Sequence, residues 1–191
     1  MFERASRVRI PPSPPWFIMI KTIEEIDGFR KRGFRPNIVG CFLNGERLLL
    51  VYKKDHGLWQ LPQGGVNNKE SLEKALVREM SEELGTDFVK ARGEYINLVA
   101  EAKVEFPEGK QGSRSLETDN GEPVTMKGKK YFFLAIISTN SDLNIKDTEF
   151  DDYKWASYEE GLKLAEKIYQ KGKRRITIKI LEKLKELELV S

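Results

Sequence analysis

A cluster of acidic side chains near the end of one short segment is the feature of this sequence best suited to chemistry. From position 64 the chain reads GGVNNKESLEKALVREMSEELGT. Leucine or methionine recurs every four residues from 72 to 84, which predicts an amphipathic helix between a serine N-cap and a glycine C-cap. Glu79 and Glu83 lie one turn apart on this helix, and Glu82 flanks them. The apolar stripe of the helix therefore ends in carboxylates.

Carboxylates on a partly apolar stripe need a compensating charge. Like charges one turn apart cost a few tenths of a kcal/mol, and burying them costs more unless a cation pairs with them. Magnesium prefers oxygen ligands and completes its shell with water and substrate phosphates. The segment therefore suggests a magnesium site, with Mn²⁺ as a possible substitute. The alternative is a solvated acidic helix face, since 33% of the residues are charged.

The spacing of the segment favours the metal site over the solvated face. It is a set of seven residues: Gly64, Glu70, Arg78, Glu79, Glu82, Glu83 and Gly85. At roughly 7% background each, these would match by chance about once in 10⁸ starts. The pattern resembles the Nudix box, the signature of hydrolases that cleave a nucleoside diphosphate linked to another group. The one departure is Thr86, where the box usually has an aliphatic residue.

The Nudix resemblance implies a fold and a set of roles. The fold class is α/β with a mixed sheet, arranged as an α/β/α sandwich in which the box forms a loop, a helix and a loop. The catalytic residues and metal ligands it implies come from the box helix and from two flanking positions: Glu79, Glu82 and Glu83, then the backbone of Gly64 and the side chain of Glu149. The residues it implies for the shape of the box are Glu70, Arg78 and Gly85.

The resemblance extends beyond the box, over roughly residues 33 to 185. The stretches GFRPN, WQLPQGG, KYF and EFD through Trp155 follow the order of bacterial RNA pyrophosphohydrolases, which are similar to dinucleoside polyphosphate hydrolases. By matching position, Arg35 and Lys130 are expected to meet substrate phosphates. Lys53 stands where the relatives have an arginine near the first base. It keeps the charge but loses the planar stacking surface.

The resemblance implies a metal-dependent attack of water on a phosphoanhydride. Two or more Mg²⁺ ions on the box carboxylates would bridge the polyphosphate and activate the water, and one carboxylate would act as the base. The substrate is a nucleotide or the 5′ end of an RNA. Removal of pyrophosphate from 5′-triphosphorylated RNA and cleavage of a dinucleoside polyphosphate stay open. A Nudix module that binds phosphorylated RNA without cutting it, and the sanitation of damaged nucleotides, are further alternatives.

Composition narrows the class of protein. The 191 residues have one cysteine, one histidine and a net charge of +3. A single cysteine excludes an internal disulfide and fits a reducing compartment, and Cys41 is expected in the core. A single histidine, His56, excludes a histidine-rich zinc site. No apolar run approaches the ~20 residues of a membrane span, so we expect a cytoplasmic protein with no membrane partner. No stable protein partner is predicted, and the oligomeric state stays open.

Hydrophobic patterning predicts the remaining elements. Residues 38–43 and 47–52 read as strands joined by an Asn-Gly turn, and residues 58–61, 95–106, 130–138 and 153–156 as further strands. Helices are predicted from a capping box at Ser157 to about residue 170, and over 174–189, whose start could also be a strand. Residues 107–128, rich in glycine, serine and charge, predict a long mobile loop.

The predicted domain organisation is one Nudix domain with an extension before it. Residues 1–27 form the extension, because residues 11–15 read PPSPP and cannot join a helix or a sheet ladder. Within it, residues 16–27 could be a strand or a short helix. Residues 28–191 form the domain, of a length that can bury a full core.

Overall fold

The computed structural model describes residues 20–191, which fold around one mixed sheet. The five helices are α1 (Ile23–Lys31), α2 (Leu72–Leu84), α3 (Thr86–Lys90), α4 (Tyr158–Glu166) and α5 (Lys171–Glu186). The seven strands of the sheet are β1 (Phe34–Asn44), β2 (Arg47–Lys53), β3 (Leu58–Gln60), β4 (Gln63–Gly65), β5 (Arg92–Glu105), β8 (Gly128–Ser138) and β9 (Asp152–Ala156). A separate pair consists of β6 (Ser115–Glu117) and β7 (Pro123–Thr125).

Strand β1 organises the sheet, whose order is β3-β2-β1-β8-β5. On one edge β1 pairs with β8 in parallel over ten residues. On its other edge it has two partners in turn, because only its last two residues pair with β2 while Asn37 to Val39 pair with β4. Strand β2 continues away from this split and pairs with β3 and β9. The split leaves room for β4, which carries the glycine pair of the box.

Helices cover both faces of the sheet, which confirms the predicted α/β/α sandwich. Helices α1, α2 and α3 contribute Ile26, Leu76 and Phe88 to a core with Phe132 of β8. On the opposite face, α4 and α5 pack on residues such as Cys41. Successive residues of a strand point to opposite faces, so each inner strand supplies both cores. The fully buried Cys41 confirms the core position predicted for it, and burial raises the pKa of its thiol.

Local signals explain why several elements form where they do. The Asn-Gly turn closes the β1–β2 hairpin, with Gly45 at φ 58° as this turn needs. Ser157 and Glu160 form the predicted capping box of α4. Helix α4 ends at Glu166, four residues before the predicted end, and α5 follows as one helix. The alternative of a strand at the start of α5 is therefore excluded.

Two regions differ from the sequence-based description. The loop predicted over residues 107–128 contains the β6–β7 hairpin, and Leu116 and Met126 there are buried. The predicted extension of residues 1–27 overlaps α1, which Thr22 and Glu25 cap and Ile26 anchors in the core. Residues 20–27 therefore pack on the domain, and the rest of the extension lies outside the described residues. Among residues 20–191, no helix combines the length and apolarity that crossing a membrane requires.

Candidate active site

The glycine pair of β4 lies between a carboxylate and a guanidinium group. Gly64 pairs with Ile38 and Gly65 with Asn37, so the two glycines present opposite faces of the sheet. A Cβ atom on Gly64 would lie 2.0 Å from Glu79 Oε2 of α2. A Cβ atom on Gly65 would lie 2.6 Å from Arg35 Nη2 of β1. Glycine at position 64 is required for the approach of Glu79, because a Cβ would meet three atoms of its side chain, whereas at position 65 the flexible end of Arg35 could move aside.

Arg78 braces the helix that carries the acids. Its Nε and Nη2 donate to the two carboxylate oxygens of Glu70 at 2.9 and 2.8 Å, and Nη2 also donates to the carbonyl oxygen of Gly65 at 2.9 Å. Its Nη1 donates to Glu79 Oε1 at 2.6 Å. Hydrogen bonds from Arg78 lower the pKa of Glu70 and those to Glu70 raise the pKa of Arg78, so both stay charged. The structural role that the Nudix resemblance implied for this pair is consistent with this geometry.

A second arginine, not singled out from the sequence, holds the loop between β4 and α2. Arg30 of α1 is 1% exposed, and its Nη2 donates to the carbonyl oxygens of Val66 and Asn67 at 2.9 and 2.7 Å. Its Nη1 donates to Asp119 Oδ1 at 3.1 Å, which also accepts from the backbone N–H of Lys69 at 3.0 Å. This Arg30–Asp119 clamp joins α1, the box loop and the β6–β7 hairpin.

Three carboxylates lie close enough to influence one another. Burial, with the charges of Glu79 and Glu149 acting in the same direction, raises the pKa of Glu83 to about 8. The backbone N–H of Gln63 opposes this by donating to Glu83 Oε2 at 3.0 Å. The loop with Glu149 is tied to the same place, because the backbone N–H of Glu149 donates to the carbonyl oxygen of Glu83 at 3.1 Å. Glu79 and Glu149 therefore lie near Glu83, and Gly64 lies against Glu79.

Glu82 lies at the rim of this group. Its side chain is 61% exposed, with Oε2 3.9 Å from Arg78 Nη1. Gly85 ends α2 at φ 90°, a backbone conformation that favours glycine, and α3 follows at once. Thr86, the one departure from the box pattern, is exposed at the start of α3 and needs no apolar neighbour.

The donor set fits a divalent cation in chemistry, although its side chains are paired with protein groups. Among residues 20–191, no three acidic, histidine or cysteine side chains converge as they would on an ion. Glu79 instead contacts Arg78, and Glu149 contacts Lys53 at 3.6 Å. All the donors are oxygens, as a hard dication prefers, and Glu83 is held where its charge is costly without a cation.

The predicted substrate-binding cations separate into two groups. Arg35 is exposed beside Gly65, and Lys53 lies beside Glu149 and the ring of Phe150. Lys130 does not join them. Its side chain is 12% exposed, its Nζ lies 2.6 Å from Glu101 Oε2, and the ring of Phe29 covers it at 4.8 Å. Strand alternation puts Lys130 on the α1 side of β8 and its neighbour Lys129 on the face of Arg35, its cross-strand partner.

Lys129 and Arg114 were not singled out from the sequence, whereas Lys173 lies in a basic run, residues 171–175, that the sequence presents either as an RNA-binding segment or as a solvated helix start. Burial and the charges of Arg35 and Arg114 lower the pKa of Lys129, so the three cations are near neighbours. Lys173, at the start of α5, donates a hydrogen bond to Gln60 Oε1. A period of two along residues 128–138 separates Lys129 from Lys130, but it does not say which face holds the site.

The fold and these contacts agree with a comparison against known families. A family model described as "NUDIX domain" matches residues 34–177, about three quarters of the chain. This protein therefore belongs to the Nudix family, whose members generally use divalent metal cations.

Two similar proteins from bacteria are both named RNA pyrophosphohydrolase. The chain is 32% identical over 130 residues to an RNA pyrophosphohydrolase of Histophilus somni, which covers 66% of this chain and 65% of the relative. It is 30% identical over 137 residues to an RNA pyrophosphohydrolase of Nitratiruptor sp., covering 68% and 82%. The match thus covers just under two thirds of the length of the Histophilus relative, at 65%, and 82% of the length of the Nitratiruptor relative.

Solved structures share the fold alone. The E. coli dihydroneopterin triphosphate pyrophosphohydrolase superposes with a TM-score of 0.53 at 16% identity, covering 78% of this chain and 97% of that one. The NUDIX domain of Shewanella oneidensis NrtR, complexed with ADP ribose, superposes with a TM-score of 0.53 at 15% identity, covering 81% and 88%.

Proposed function

We propose that this protein is a Mg²⁺-dependent hydrolase that removes pyrophosphate from 5′-triphosphorylated RNA. The observation that carries the proposal is the glycine pair of β4, with Glu79 against Gly64 on one side and Arg35 against Gly65 on the other. Such a strand can hold a metal-bound phosphoanhydride and neutralise its oxygens from two directions. The name shared by the curated relatives and the WQLPQGG run support the choice of substrate.

The residues proposed to hold Mg²⁺, or Mn²⁺ in its place, are the backbone of Gly64 and the side chains of Glu79, Glu82, Glu83 and Glu149. When bound, the cation supplies charge neutralisation of the phosphates and a lowered pKa for bound water. One of the same carboxylates would take the proton of the attacking water, and the choice among them stays open.

The rest of the chain positions these groups. Arg78 holds Glu70 and Glu79, so that the box loop and α2 keep one relative orientation. The N–H of Gln63 orients the carboxylate of Glu83. Arg35 would donate to phosphoryl oxygens as they gain charge. Lys53 contacts Glu149 and would be free to meet the nucleotide once that carboxylate binds a cation. Lys130, predicted from the resemblance to meet phosphates, would need to leave Glu101.

Cleavage of dinucleoside polyphosphates uses the same groups and is the alternative substrate. A side-by-side assay with 5′-triphosphorylated RNA and diadenosine polyphosphates in Mg²⁺ separates the two. Faster release of pyrophosphate from the RNA supports the proposal. If neither is consumed while a mononucleotide is, only the family assignment stands.

A non-catalytic RNA-binding module is the second alternative, and Glu82→Gln tests it. The variant keeps the shape of a side chain that is 61% exposed. We expect it to abolish hydrolysis and to leave RNA binding largely intact. Turnover equal to that of the unmodified protein would refute the proposed site. A cytoplasmic location stays a prediction from the sequence.

A further inference from the structure

Four cationic side chains lie together on the side of the sheet away from α2. They come from four separate elements: Arg35 of β1, Arg114 just before β6, Lys129 of β8 and Lys173 of α5. Within residues 20–191, none of them is within 4.0 Å of a carboxylate oxygen. This is the opposite of the α2 side, where every box acid contacts an arginine, a lysine or a backbone N–H.

The arrangement is electrostatically unfavourable in the protein by itself. Burial lowers the pKa of Lys129, and Arg35 and Arg114 lower it further. Burial also lowers the pKa of Lys173 to about 8, with the charge of Lys129 acting in the same direction and that of Glu83 opposing it. The cations are thus mutually repulsive, and the row they form reaches the acid group at Glu83.

Two of the four cations, Arg35 and Arg114, border a cavity of a size that suits phosphate groups. It has a volume of about 460 Å³ and lies between the β4–α2 loop and β6, with Arg35 and Arg114 in its wall. Glu117 is the one acidic residue of the wall. Asn37, the next residue on the Arg35 face of β1, is 5% exposed, and its Oδ1 has no hydrogen-bond partner among the described residues. An unpaired buried amide oxygen is costly, and because it accepts hydrogen bonds, a bound water that donates to it is the expected partner.

We propose that Arg114 and Lys129 join Arg35 in a polyphosphate-binding groove, on the side of β4 opposite the carboxylates. The groove takes the phosphate chain of the substrate from the cleaved anhydride, which Arg35 meets, outward along Arg114 and Lys129. Lys173 links the groove to Glu83. This inference rests on the proposed function, because that function is what makes the bound phosphate chain part of the substrate. The ligand class is a chain of phosphates, since its several charged oxygens can accept from guanidinium and ammonium donors of separate elements.

Binding of inorganic triphosphate to the metal-free protein tests the groove directly. Isothermal titration calorimetry in EDTA at low salt should show binding that weakens as salt is added. Lys129→Met and Arg114→Met should each weaken it about tenfold, as expected for the loss of one charge-assisted contact. The matched controls are Lys127→Met and Lys110→Met, which remove exposed lysines of the same region and should change binding less than about twofold.

The melting temperature gives a second readout, because it should change in opposite directions for a ligand-binding cation and for a structural residue. Removing one of several repelling cations should leave the melting temperature of the free protein unchanged or raise it, whereas loss of a structural residue lowers it. Triphosphate should raise the melting temperature of the unmodified protein more than that of Lys129→Met. Lys129→Arg keeps the positive charge, so it should bind triphosphate as the unmodified protein does, unlike Lys129→Met.

The outcomes separate the groove from the proposed function. If the unmodified protein does not bind triphosphate, or if Lys129→Met and Arg114→Met bind it as the controls do, the groove is refuted. That result leaves the assay with triphosphorylated RNA untouched. Conversely, normal triphosphate binding with no turnover of either polyphosphate substrate refutes the function and supports the groove.

Discussion

Replacing Glu83 by glutamine should stabilise the metal-free protein at alkaline pH. The carboxyl of Glu83 has a pKa of about 8 in the fold, against 4.5 for an ordinary glutamate, mainly because it is buried. Between pH 4.5 and about pH 8, the Glu83 carboxyl is protonated in the folded protein and ionised in the unfolded chain. Stability therefore falls as the pH rises from about 4.5 to about 8 and stays low above it. Glutamine has no charge to bury and escapes this loss.

The size of the effect follows from the same two values. A rise from 4.5 to about 8 corresponds to about 5 kcal/mol at most, at about 1.4 kcal/mol per pKa unit. Solvent screening of a half-buried group reduces this, so we expect about 2 kcal/mol. In EDTA, the free energy of unfolding of Glu83→Gln should exceed that of the unmodified protein by this amount at pH 8.5. The difference should disappear near pH 4.5.

Urea unfolding at the two pH values in EDTA measures this, with Glu73→Gln as the control. Glu73 is an exposed glutamate of the same helix, so its replacement should give a small difference that does not depend on pH. In excess Mg²⁺ the order should reverse, because the unmodified protein gains binding energy that the variant loses. A difference that is equal at both pH values, or no reversal by Mg²⁺, would refute the account of an acid group that needs a cation.

Three further predictions test the surroundings of the site. Gly64→Ala should lower kcat at least about 100-fold, because its Cβ would displace Glu79, while Gly109→Ala, which meets no atom within 4 Å, should not. Arg78→Lys should lower kcat about tenfold with a change of less than about 1 kcal/mol in unfolding, since a lysine cannot hold Glu70 with two hydrogen bonds; equal losses in both measurements would contradict a positioning role. Arg30→Met should lower the free energy of unfolding by about 3 kcal/mol, because Asp119 loses its cation and the carbonyl groups of Val66 and Asn67, the first of them buried, lose their donor; a urea midpoint within error of the unmodified protein would refute the clamp.

Local patterns predicted most of the helices and strands. Helix α2 was readable because its apolar period, its serine cap and its terminal glycine all lie within 15 residues. The β1–β2 hairpin was readable because the Asn-Gly pair specifies the turn by itself. The β6–β7 hairpin was not, since its strands are three residues long and only Leu116 is apolar and buried in them. Too few residues alternate there to reveal a period of two.

The sequence alone determined the acidic helix and the spacing of its box, because Glu70, Arg78, Glu79 and Glu83 lie on one continuous segment whose geometry is that of a helix and its preceding loop. Only the tertiary structure decided which basic residues face the site. Arg30 meets Asp119 across 89 positions, and Lys173 meets Gln60 across 113. Lys129 and Lys130 are neighbours in sequence that strand alternation puts on opposite faces of β8, and only the packing of distant segments decides what each face meets. Contacts of this kind depend on how distant segments pack, which no local pattern records.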